Sequence, residues 1–140
     1  MRAKMTFTSD ACQLADVRHG VRCFLEKCAF DECATELLVL AVDEACTNII
    51  RHAYGRNGQP VRLEMERLRD RVRFTLRDYG RPCDPKRIRS RALEDFRPGG
   101  VGVHIIRKVF DFVEYEPCRR GTRLVLEKKL AGDPGVLSRS

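Results

Sequence analysis

From Ala34 to Tyr54 the chain contains neither proline nor glycine, and Gly55 follows where a helix would stop. Leu38, Val42, Ala45 and Ile49 recur at helical spacing and predict one long helix over 34–55. Leu37, Leu40 and Ala41 begin a second apolar stripe beside the first. That stripe continues not with leucine but with Glu44 and then Asn48. A helix apolar on most of its surface is expected to be buried, which puts Glu44 and Asn48 on its inner face. Residues four apart project side by side. A carboxylate and a carboxamide buried together are costly without partners, and they can offer oxygens to a metal or to a phosphate-bound water.

The rest of the chain limits what this helix can serve. At 140 residues the simplest organisation is one domain, expected over 1–130, with 131–140 a flexible C-terminal tail. The longest clean apolar run, Leu37 to Val42, is six residues, far too short for a membrane span. The N-terminus has no apolar signal-peptide core, so a cytoplasmic location is expected and no membrane partner. Of the seven cysteines, none shows Cys-x-x-Cys spacing, and reduced thiols used as small apolar side chains are expected. The net charge of +7 suits a phosphate-rich ligand or an acidic protein. The one tight basic run, Lys86, Arg87, Arg89 and Arg91, lacks interleaved aromatics, which disfavours nucleic acid.

Along the chain, residues 4–8 suggest a strand, and Ser9 or Asp10 can cap a helix running to about Ala29. After the long helix and a turn-rich loop, Val61, Leu63 and Met65 alternate with charged residues. Val72, Phe74 and Leu76 do the same, and together they predict a hairpin with one dry face. Asp78 to Pro85 closes that hairpin, 86–98 suggest a surface loop, and Gly99-Gly100-Val101-Gly102 opens a short apolar helix to Phe110. Two last strands are expected, around Phe112–Tyr115 and over Thr122–Leu130. This order argues for a two-layer α+β sandwich, with helices segregated from an antiparallel or mixed sheet.

Three short stretches carry chemistry: Glu44-x-x-x-Asn48 on the long helix, Asp78-x-Gly80 at a strand end, and Gly100-x-Gly102 opening a helix. Each alone is weak, but their order and context are not. Asp43-Glu-Ala-Cys-Thr-Asn-Ile-Ile-Arg-His-Ala-Tyr54, Asp78-Tyr-Gly-Arg-Pro-Cys-Asp-Pro85 and Gly99-Gly-Val-Gly-Val-His-Ile-Ile-Arg-Lys-Val-Phe-Asp111 resemble the ATP-binding fold shared by histidine kinases, gyrase and heat-shock chaperones (the GHKL, or Bergerat, type). Within it the chain is most similar to the small bacterial anti-sigma-factor serine/threonine protein kinases. Val113-Glu-Tyr115, Gly121 and Leu124 also look like that family. The resemblance covers residues 5 to 130 or so, and it implies helices on one face of a mixed, mostly antiparallel sheet.

The resemblance also implies roles. Asn48 looks like the family's magnesium ligand, and Glu44 like the group that activates a hydroxyl or a water for attack on the γ-phosphate of ATP. Asp78 resembles the adenine reader, with Gly80 admitting the base. Gly100, Val101 and Gly102 would place backbone N–H groups against the phosphates. Arg97 is a candidate γ-phosphate contact, or an ordinary surface arginine. Arg51 and His52 match the family's box, but His52 fits equally a packed helix end, and His104 suits a structural role. Where the wider fold often has a second glycine, this chain has Pro82, which stiffens the adenine-side loop. The stretch 84–99 corresponds to the nucleotide lid and is short. The implied partners are a STAS-domain anti-anti-sigma protein, a sigma factor and, less specifically, a second copy in a homodimer. The alternative is a protein-binding switch that uses nucleotide to set its shape and transfers no phosphate.

Overall fold

The computed structural model describes residues 1–8, 10–51, 60–80 and 101–130, with the backbone alone for Ala11 and 101–104. Its elements are β1 (Arg2–Phe7), α1 (Ala11–Lys27), α2 (Glu32–Ile49), β2 (Val61–Arg67), β3 (Arg71–Arg77), α3 (Val101–Val109), β4 (Phe112–Pro117) and β5 (Thr122–Lys129). The expected basic run and lid at 84–99 and the tail at 131–140 lie outside the described residues.

The helix boundaries have local causes. Asp10 caps α1 by accepting from the Cys12 N–H at 3.0 Å, and Asp31 caps α2 by accepting from the Ala34 N–H at 2.7 Å. Between them Ala29 takes the left-handed conformation, φ 63°, which turns the chain sharply out of α1. At its other end α2 keeps regular geometry to Ile49 and then widens into π-type turns at Ile50 and Arg51. Residues 52–55 of the expected long helix fall outside the described residues.

The strands form a five-stranded sheet in the order β1-β2-β3-β5-β4. All four pairings are antiparallel, so the parallel component of a mixed sheet is not found among the described strands. The alternation in the sequence decides the faces. Val61, Leu63, Met65, Val72, Phe74, Leu76, Leu124 and Leu126 are buried and share one core with residues of all three helices, including Leu25, Leu38, Ala45 and Ile106. The helices therefore cover this face of the sheet. The opposite face carries a charge ladder, with Glu127 accepting from Arg73 at 2.6 Å and from Arg71 at 3.2 Å.

Phe74 ties the two layers together. Its ring meets Phe24 of α1 edge-on at 6.3 Å and Phe110, just after α3, at 5.9 Å. Phe74→Ala is expected to cost about 3–5 kcal/mol of folding stability, because neither neighbour can fill the space alone. A urea unfolding midpoint within error of the wild-type value would contradict this assignment of Phe74 as the link between layers.

Candidate functional site

The first half of the site stands on α2, which packs against both α1 and α3. Asn48 is only 9 % exposed, and its Nδ2 has no hydrogen-bond partner among the described residues. Such a buried, unpaired amide is costly to the protein by itself. Glu44, one turn earlier, is half-buried and makes no ion pair among the described residues. A buried Glu44–arginine pair, the bland explanation for an acid on this helix, is therefore not found among them. The neighbouring acid is used differently: Asp43 pairs with Arg18 of α1 at 3.2 Å, while the Thr47 hydroxyl donates to the Asp43 carbonyl at 2.9 Å.

The second half stands at the end of β3. Asp78 is 2 % exposed. Its N–H donates to the Thr122 carbonyl at 3.1 Å, and its Oδ1 accepts from the Gly80 N–H at 3.1 Å. The Arg77 guanidinium donates to the Asp78 carbonyl and to the Arg120 carbonyl at 2.7 Å, and lies over the Tyr79 ring at 4.5 Å. On the other side Gly121, at φ 76°, lies against Asp78 so closely that a Cβ there would collide with the Asp78 carbonyl oxygen and Oδ1. Backbone and side chain of Asp78 are thus held by β5 and the turn before it. The sequence reads Gly121 as the end of a turn and Arg77 and Thr122 as strand residues, and gives none of the three a role at the site. The only local signal was a glycine set between Arg120 and Thr122.

Val101 and Gly102 form the first turn of α3, which packs against α2, the helix that carries Glu44 and Asn48. Arg97 and Gly100 lie outside the described residues, as do His52 and Pro82. The thiols divide. Cys28 and Cys46 are buried, and burial pushes both thiols up. Cys12 and Cys33 are exposed, so their expected use as small core residues does not hold.

The donor set fits one kind of metal. Among the described residues no group of three or more His, Cys, Asp or Glu could hold an ion. A closed protein cage is therefore not present there, whereas magnesium held mainly by phosphate and water needs only one or two protein oxygens. The Asn48 side-chain oxygen can supply one.

The model of the histidine kinase-like ATPase domain matches residues 7–128. The chain belongs to this family. The recognition made from the three motif boxes thus holds for the GHKL-type fold. Similar relatives include the serine-protein kinase RsbW of Halalkalibacterium halodurans, 31 % identical over 106 residues, covering 70 % of this chain and 64 % of that protein. The serine/threonine-protein kinase BtrW of Bordetella bronchiseptica is 33 % identical over 85 residues, covering 56 % and 59 %. The match therefore spans about three-fifths of these relatives' length. Among solved structures, the histidine kinase domain from the Erythrobacter litoralis EL346 blue-light activated histidine kinase superposes with a TM-score of 0.58 at 16 % identity. It covers 91 % of this chain and 64 % of that one, which is a likeness of fold. No helix among the described residues is long and apolar enough to cross a membrane.

Proposed function

We propose that this family member is an ATP-dependent serine/threonine protein kinase and anti-sigma-type regulator. Its substrate is a serine or threonine of a STAS-domain anti-anti-sigma protein, and the same chain holds a sigma factor when that antagonist is phosphorylated. The observation that carries this reading is the buried Asn48 amide, whose nitrogen is unpaired among the described residues, one helical turn from a carboxylate that no described arginine neutralises. The relatives named serine-protein kinase support it. In this reading Glu44 takes the proton of the attacking hydroxyl, and the Asn48 side-chain oxygen holds magnesium. Asp78 reads the adenine amine, and Gly80 lets the base approach. The N–H groups of Gly100, Val101 and Gly102 meet the phosphates, with Arg97 reaching the γ-phosphate. Magnesium and ATP supply the transferable phosphoryl group and its charge neutralisation.

Calorimetric titration with ATP, in magnesium and in EDTA, tests the site. Magnesium-dependent binding is expected in the wild-type chain. Asn48→Ala should weaken it by about tenfold or more, with little change in EDTA; equal losses under both conditions would remove Asn48 from the metal. Transfer is then read as phosphate on a STAS-domain protein by intact mass. ATP binding with no transfer would favour a switch that uses nucleotide only to set its shape.

A further inference from the structure

One face of α2 has its polarity inverted along its length. Cys33, Leu37, Leu40, Glu44 and Asn48 follow one another at steps of three and four, so they share a face. At one end Leu37 is 48 % and Leu40 43 % exposed; at the other Asn48 is buried. The sequence placed both leucines on the inner face with Ala41, but only Ala41 is inside. Apolar side chains stand in water while an amide sits enclosed with its nitrogen unpaired among the described residues. The buried amide is not the arrangement a lone chain favours, the two leucines form a small exposed apolar patch one turn apart, and the two ends are continuous through Glu44.

We infer that the Leu37–Leu40 surface seats the polypeptide that receives the phosphoryl group, an inference that rests on the kinase reading above. The helix rise sets the spacing: Leu40 lies about 6 Å, and Leu37 about 10 Å, from Glu44 along the axis. A protein that lies along this face with its hydroxyl at Glu44 covers both leucines. In an extended segment, whose alternate side chains share a face, the acceptor hydroxyl and an apolar side chain two residues from it would face Glu44 and Leu40. The surrounding charges define the partner further. Arg22 of α1 neutralises Glu36 through bonds of 2.8 and 3.0 Å, and Arg18 pairs with Asp43 at 3.2 Å. The leucine strip is thereby left with matched charges along its α1 side. At its far end Asp31 and Glu32 are exposed, a local acidic end on a chain of net charge +7. The occupant is a polypeptide with an apolar surface next to its acceptor hydroxyl and a basic side chain toward Asp31 and Glu32.

The test uses the full chain and a STAS-domain protein that the wild-type chain phosphorylates. Because both leucines are about half exposed, Leu37→Asp with Leu40→Asp should leave the fold intact. The double variant is expected to raise KM for the protein substrate by about tenfold or more. Its ATP affinity by calorimetry should stay at the wild-type value, and Leu37→Met with Leu40→Met should restore KM. An unchanged KM beside normal ATP binding overturns this inference alone. So does sedimentation in which the aspartates turn a wild-type dimer into a monomer, since the occupant is then a second copy of the chain. If the wild-type chain binds ATP but phosphorylates no STAS-domain protein, the kinase reading falls first and this surface assignment falls with it.

Discussion

Glu44→Gln is expected to lower phosphoryl transfer to a STAS-domain protein by about 10²–10⁴-fold, the range for losing a placed proton acceptor. ATP affinity and melting temperature should stay at their wild-type values. Glutamine keeps the length and shape of the side chain, with an amide N–H donor in place of one acceptor oxygen, and cannot accept the proton. The prediction of unchanged stability follows from the surroundings. Glu44 is half-buried and makes no ion pair among the described residues, so its charge is not one that the fold uses. Asp43, one residue earlier, is the acid that joins α1 to α2 through Arg18, and it is untouched. Asp43→Asn therefore serves as the contrasting variant, expected to affect stability slightly and transfer little, since a partly exposed pair contributes at most about 1 kcal/mol. If Glu44→Gln transfers phosphate at the wild-type rate, Glu44 is not the base. If it loses transfer and still exerts its regulatory effect on the sigma factor, the nucleotide-set switch is the better description.

How far these assignments could be read in advance depended on whether the signal was local. The alternation of Val61, Leu63 and Met65 with charged residues specified both strand and inner face, because a strand has only two sides. Asp10, one of the two residues offered as a cap, marked a helix start through a contact two residues along the chain. The same local reading misplaced Leu37 and Leu40. Leu37 to Val42 is apolar at every position, so its period carries little contrast, and which leucines face inward was decided by where α1 and α3 pack. The closure around Asp78 was illegible for a different reason. Gly121 lies 43 residues further along the chain (121 − 78) and meets Asp78 only through the pairing of β3 with β5. Local propensity says nothing of such a contact. The widened turns at Ile50 and Arg51, next to the Glu44–Asn48 pair, likewise have no marker such as proline or glycine within the helix.

The contact between Gly121 and Asp78 leads to the second large effect. Gly121→Ala is expected to weaken nucleotide binding by about tenfold or more and to lower the melting temperature by roughly 5–15 °C. Two causes add. At φ 76° an L side chain is strained, at about 1–2 kcal/mol. The new Cβ also collides with the Asp78 carbonyl and carboxylate oxygens, and overpacking of this kind costs about 1–3 kcal/mol. The clash cannot be relieved by moving the Asp78 backbone freely. Its N–H is bonded to Thr122 at 3.1 Å, and its carbonyl is held by Arg77. The carboxylate, which accepts from the Gly80 N–H at 3.1 Å, is displaced against that bond, and it is the part assigned to adenine. Gly121→Asn separates the causes, because asparagine tolerates the left-handed conformation but still carries a Cβ. It should regain part of the lost stability while remaining poor at binding ATP. If Gly121→Ala melts early yet binds ATP as tightly as the wild type, the Asp78 carboxylate does not set nucleotide affinity, and the adenine site must be sought elsewhere on the fold.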